Sequence, residues 1–169
     1  MKHIQNKKSD ITLHGRAING RGRASEDLAD LLERYDRSKT FEKGTLNVIM
    51  TKPIIFDTKK SAAMTLDRTE RYVWEGTLNG YPILIYRWKG CRSHVIEVIS
   101  DTNLRKKFHI SNNDPVRIEI QKDLLKKAKI IHYVTYAAFW SLGRTAWPYR
   151  CEAYQKALRR VEGLMGTLQ

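Results

Sequence analysis

The sequence predicts a mainly β protein, a compact β-barrel followed by a helical extension. Three observations carry that prediction. Residues 11 to 121 break into short runs of strand character with few helical stretches between them. Two of these runs flank Asn79-Gly80, the strongest short-range hairpin signal in the chain. Beyond Gln121 the apolar spacing changes to that of a helix. The expected division is a barrel domain over residues 1–121 and a basic helical extension over residues 122–169.

Taken in order, Ile11 to Ile18 reads as the first strand and ends at Asn19-Gly20-Arg21-Gly22, where glycines permit tight turning. Ser25 is placed to cap a helix, with Glu26 and Asp27 at the positive end of its dipole. Leu28, Leu31, Leu32 and Tyr35 then form one apolar helical face. The polar stretch from Asp36 to Lys43 leads to Gly44, and Leu46 to Met50 has the residues of a buried strand.

Arg71 to Trp74 and Tyr81 to Trp88 are the arms of the hairpin, and His94 to Ile99 is another strand. Thr102 to Phe108 suits one or two helical turns. Val116, Ile118 and Ile120 alternate with Arg117 and Glu119 in a closing strand from Pro115 to Gln121. Two helices are expected after it, Asp123 to Leu142 and Tyr149 to Met165.

The chain has 169 residues, enough to bury a core, and its 41% hydrophobic content is ordinary for a soluble domain. Its net charge of +13 is not ordinary and points to anionic partners such as nucleotides or nucleic acid. Residues 121 to 169 hold nine Lys/Arg against three Asp/Glu. Met1 to Lys8 lacks the apolar core of a signal peptide. The run from Ile130 to Leu142 is too short to span a bilayer and is expected to pack inside the protein. Two cysteines, Cys91 and Cys151, are too few for a disulfide framework. These features predict a cytoplasmic protein with no membrane among its partners.

Several segments offer chemistry. The turn from Asn19 to Glu26 exposes backbone N–H groups ahead of a helix start, a cradle for phosphate or simply a strand-to-helix turn with solvated arginines. Thr45 and Asn47 are oxygen donors two residues apart in a strand, so they share a side and can meet one magnesium ion or bond locally to backbone. Glu97 is a carboxylate among Val95, Ile96, Val98 and Ile99; it points out of a half-buried strand, or it faces a cavity and acts on a substrate hydroxyl. Ser111 to Asp114 reads as a structural turn. Cys91 and His94 are two ligands where structural zinc needs four.

In this order and spacing, Gly20-Arg21-Gly22, Gly44-Thr45-Leu46-Asn47 and Ile96 to Arg105 resemble the archaeal CTP-dependent riboflavin kinases, over about residues 11 to 121. The resemblance implies a riboflavin kinase-like barrel of the cradle-loop type that converts riboflavin to FMN. It implies Mg2+ on Thr45 and Asn47, and flavin contact and hydroxyl orientation by Glu97. It places the nucleotide on Gly20, Arg21, Gly22, Arg23, Ala24 and Ser25, and on Thr102, Asn103, Leu104 and Arg105. The chain departs from the family at Lys39 to Lys43, where the family is Pro-rich, and near Lys89, where it has a substrate-contacting Thr. Two alternatives stand beside this reading. One is a barrel that binds nucleic acid or a regulatory ligand, with the basic tail touching nucleic acid. The other is the same kinase chemistry on a different acceptor.

Overall fold

A computed structural model describes residues 10–19, 28, 32, 40–66, 69–88 and 93–140. The chain divides into two compact units, Met1–Ala128 and Lys129–Gln169. The first contains nine strands among its described residues: β1 (Asp10–Ile18), β2 (Leu46–Met50), β3 (Ile55–Phe56), β4 (Ala62–Leu66), β5 (Thr69–Leu78), β6 (Tyr81–Trp88), β7 (Val95–Ile99), β8 (Pro115–Gln121) and β9 (Leu125–Lys126). A short helix, α1 (Leu104–Lys107), connects β7 to β8.

Six of these strands close into an antiparallel barrel in the order β5-β6-β7-β2-β1-β8. Closure depends on the length of β5. Its first half pairs with β4, and Thr77 and Leu78 at its far end pair with Glu119 and Ile118 of β8. The β5–β6 hairpin turns at Asn79 and Gly80, whose φ values of 51° and 76° match the twist of a two-residue type I′ turn.

The barrel interior follows from strict alternation. Leu13 and Ala17, Leu46 and Val48, Trp74 and Leu78, Ile83 and Ile85, Ile96 and Val98, and Val116 and Ile118 all point into one buried cluster. Gly15 also faces inward, because a Cβ there would sit 2.5 Å from Val48 Cγ1 and 2.7 Å from Ile49 O. A second apolar cluster lies on the opposite face of the same strands: Val73, Leu84, Tyr86 and Ile99 pack with Leu28, Leu32 and Phe41. Leu28 and Leu32 are helical and buried, as their four-residue spacing predicts; the rest of that expected helix, including Leu31 and Tyr35, lies outside the described residues.

The β-barrel is therefore present, and two expectations change. The helix predicted from Asp123 begins at Ile130 (α2, Ile130–Trp140). Tertiary ties hold the preceding residues in other shapes. Asp123 accepts from Lys60 Nζ through its backbone oxygen at 2.7 Å and its carboxylate at 3.2 Å, Leu125 pairs with Phe56, and Lys126 meets Asp57 at 3.0 Å. Pairing of β9 with β3 carries the first unit beyond residue 121. The second correction concerns burial: Ile130, Tyr133 and Val134 do not pack inside but are substantially exposed. They stand on the solvent side of a helix whose residues carry no charge to replace them there. The predicted helix from Tyr149 to Met165 lies outside the described residues. Among those that are described, no helix is long and apolar enough to cross a membrane.

Candidate active site

Glu97 lies in β7 between Ile96 and Val98, both of which enter the barrel interior, so its own side chain takes the opposite face. That face is not solvent. Glu97 is 5% exposed and its cross-strand partner Asn47, on β2, is 4% exposed. The two readings of Glu97 thus merge: it points away from the core and is nevertheless buried.

Gly44 precedes β2 with φ 112°, a backbone shape that favours glycine and delivers Thr45 to the same side as Asn47. Thr45 Oγ1 donates to Glu97 Oε2 at 3.2 Å, and Asn47 Nδ2 donates to Thr45 Oγ1 at 3.3 Å. The three predicted side chains form one hydrogen-bonded chain. Desolvation pushes the Glu97 carboxyl up to about 6, against the opposing pull of the Thr45 hydrogen bond and the positive charge of Arg71.

A cavity of about 100 Å³ adjoins this chain. One side is Glu42 to Leu46, the other Val98, Ser100 and Thr102 to Arg105. Gly44, Thr45 and Leu46 and the second predicted nucleotide stretch therefore face one space, although more than fifty residues separate them, while Asn47 and Glu97 reach it only through Thr45. Local bonds hold both walls. Glu42 N donates to Ser100 O at 2.9 Å, Ser100 Oγ donates to Thr102 O at 2.7 Å, and Asn103 Nδ2 donates to Glu42 Oε1 at 3.3 Å. Asn103 also caps α1 by accepting from Lys106 N at 3.1 Å.

Arg105 does more than a solvated helix arginine. Its guanidinium donates to Ile18 O at 2.7 Å and to Ile110 O at 3.2 Å, joining α1 to the end of β1. The predicted cradle residues Gly20, Arg21, Gly22, Arg23, Ala24 and Ser25 lie outside the described residues, as does Lys89. The chain leading to them is fixed as far as Asn19, whose N–H donates to Asn112 Oδ1 at 3.0 Å. Asp114 plays the structural part expected of it, accepting from Ser111 N at 2.6 Å in a turn where Asn113 has φ 73°.

Sequence reasoning missed Ser100, Glu42 and Arg71. For Arg71 a signal existed, because the Asn79-Gly80 turn fixes the register that sets Arg71 opposite Trp88 and Val73 opposite Tyr86. Tyr86 in turn pairs with Glu97. Only the fold supplies that last step.

Thr45, Asn47 and Glu97 are oxygen-bearing side chains, the donor chemistry that suits a hard cation. A hydroxyl has one donor and two lone pairs. Thr45 uses its donor on Glu97 and one lone pair on Asn47, which leaves the other for an ion. Among the described residues no group of three His, Cys, Asp or Glu is gathered for a metal, so phosphate and water oxygens would complete such a shell. No protein-family model matches the chain, and no curated protein matches it.

Proposed function

We propose that this chain is a riboflavin kinase-like phosphotransferase, a cradle-loop type barrel with a basic helical extension, which uses CTP and Mg2+ to form FMN from riboflavin. The observation that carries the reading is the hydrogen-bonded chain of Asn47, Thr45 and Glu97, whose middle member Thr45 lines a cavity together with Thr102 to Arg105. A closed six-stranded antiparallel barrel is compatible with it, and a chain at +13 suits a polyanionic donor.

In this reading the ribityl hydroxyl lies against Glu97, whose carboxylate accepts its proton as the hydroxyl oxygen attacks the terminal phosphorus of the nucleotide. The bond from that phosphorus to the bridging oxygen breaks, and the nucleoside diphosphate leaves with the electron pair. A base that titrates near 6 is mostly ionised at neutral pH and still basic enough to share a proton in the transition state. The Thr45 hydroxyl aims the carboxylate by its hydrogen bond to Oε2. Thr45 and Asn47 are the residues that would hold Mg2+, which, when bound, offsets charge on the transferring phosphates. The α1 segment and Ser100 form the wall against which the nucleotide is held.

The deciding experiment incubates purified protein with riboflavin, Mg2+ and each nucleoside triphosphate separately, and measures FMN. FMN formed preferentially with CTP is the expected result; no FMN with any donor rejects the reading. Lys89, standing near the family's substrate-contacting Thr, favours one second reading, the same transfer to another acceptor. In that case CTP turns over when other hydroxylated acceptors are supplied and riboflavin stays unphosphorylated.

A further inference from the structure

Most polar side chains that line the cavity are already engaged within the protein. Ser100 Oγ donates to Thr102 O at 2.7 Å and accepts from Thr102 N at 3.0 Å. The Arg105 guanidinium is held by Ile18 O and Ile110 O. Asn103 accepts from Lys106 N and donates to Glu42 Oε1 at 3.3 Å. Glu42 is different. A carboxylate can accept about four hydrogen bonds, and among the described residues its side chain receives the one from Asn103. Its backbone N–H, bound to Ser100 O at 2.9 Å, fixes where that carboxylate stands.

The rest of the lining tells which part of a ligand belongs beside it. Leu46, Val98 and Leu104 are buried and apolar, which suits the face of a planar ring. A phosphate beside the Glu42 carboxylate would meet like charge. A volume of about 100 Å³ is well below the roughly 300–1,000 Å³ of pockets that enclose a whole ligand, so one moiety fits. We propose that Glu42 selects the nucleotide donor by its base. The carboxylate accepts a hydrogen bond from an exocyclic ring amine, such as that of cytosine, and sets oxygen against oxygen when the ring carries a carbonyl there, as in uracil. Lys43, exposed in the same lining, serves the phosphates. The inference rests on the placement of the nucleotide in this cavity under the phosphotransferase reading. It is not carried over from the resembling kinases, because Lys39 to Lys43 is where this chain departs from them.

Titration calorimetry of the full chain with Mg2+ compares CTP and UTP, whose bases differ in this amine and carbonyl. The wild type is expected to bind CTP at least about tenfold more tightly, the scale of one hydrogen bond to a charged group. Glu42→Gln keeps an acceptor for Asn103, and its amide can accept from an amine or donate to a carbonyl. The preference should therefore shrink to within about threefold, chiefly through tighter UTP binding. Lys43→Gln is expected to weaken both nucleotides alike. An equal gain for CTP and UTP in Glu42→Gln is a plain charge effect and overturns the proposal. An unchanged ratio in that variant does so too, as does a wild type without preference between the two. If the wild type makes FMN while Glu42→Gln keeps its full CTP preference, this inference alone fails. If base selection through Glu42 is found but no donor yields FMN, the phosphotransferase reading alone fails. Absence of binding to either nucleotide overturns both.

Discussion

Thr45 and Glu97 are 52 positions apart in the chain, and the Thr45 hydroxyl donates to Glu97 Oε2 at 3.2 Å. The contact couples two properties. It holds the carboxylate in one orientation, and it resists the rise in proton affinity that burial imposes on Glu97.

Replacing Glu97 with Gln keeps the shape and removes the charge. Under the proposed role, turnover falls by about 10²–10⁴-fold, measured as FMN formation. In the wild type, activity rises with pH through about 6 and levels off above it; the Gln variant lacks that limb.

The same substitution has a stability signature of opposite sense. The folded-state pKa of Glu97 is raised, so its contribution is fully present below about 4.5 and is lost as pH climbs through about 6. Above that window the buried charge costs on the order of 2 kcal/mol. Glu97→Gln is therefore expected to match wild type in denaturant stability at pH 4 and to exceed it at pH 8. Equal stability of the two proteins at both values would show that Glu97 is not held in a desolvated site.

Thr45→Ala and Asn47→Ala are expected to weaken Mg2+-dependent nucleotide binding, read by titration calorimetry with and without the ion, while the barrel stays folded. Thr45→Ala carries an additional mark, because loss of its hydrogen bond moves the Glu97 pKa further up. If both variants simply unfold, their hydrogen bonds are structural and the metal assignment fails.

Arg105→Lys retains the charge and loses the planar fork that reaches Ile18 O and Ile110 O together. A loss of about 1–3 kcal/mol in chemical denaturation is expected, together with weaker nucleotide binding, since α1 forms a wall of the cavity. Retention of both properties would mean that the two carbonyls find other donors at no cost.

Gly15→Ala tests the barrel interior. The added methyl meets Val48 Cγ1 and the backbone oxygen of Ile49, and backbone cannot yield as a flexible side chain does. The expected cost is about 1–3 kcal/mol, seen as a lower melting temperature.

Much of the barrel was legible because its signals are local. The alternation of Val116, Ile118 and Ile120, the Asn79-Gly80 turn and the spacing of Leu28 and Leu32 each survive unchanged in the structure. What was not legible depends on partners distant in sequence. The two-residue strand β3 has no pattern of its own and exists because β9 pairs with it. The start of α2 was misplaced because Asp123 and Lys126 are held by Lys60 and Asp57, some sixty residues upstream. Glu97 was recognisable as a candidate from its apolar neighbours, but the outer strand face that it shares with Ile99 and its cross-strand partner Tyr86 carries a second apolar layer that no local pattern announces. A five-residue strand cannot show that both its faces are covered.

Closure of the six strands into a ring bears on how the site is inherited by each folded molecule. An open sheet can absorb a one-residue slip at its edge, but a ring has a fixed total stagger and no edge at which to hide the error. Such a slip between β2 and β7 would turn Glu97 into the apolar interior and Val98 outward. Closure thus acts as a proofreading step: a chain that completes the ring has already set Asn47 beside Glu97. Unfolding followed through the barrel's circular dichroism and through ligand affinity should accordingly yield a single, superimposable transition.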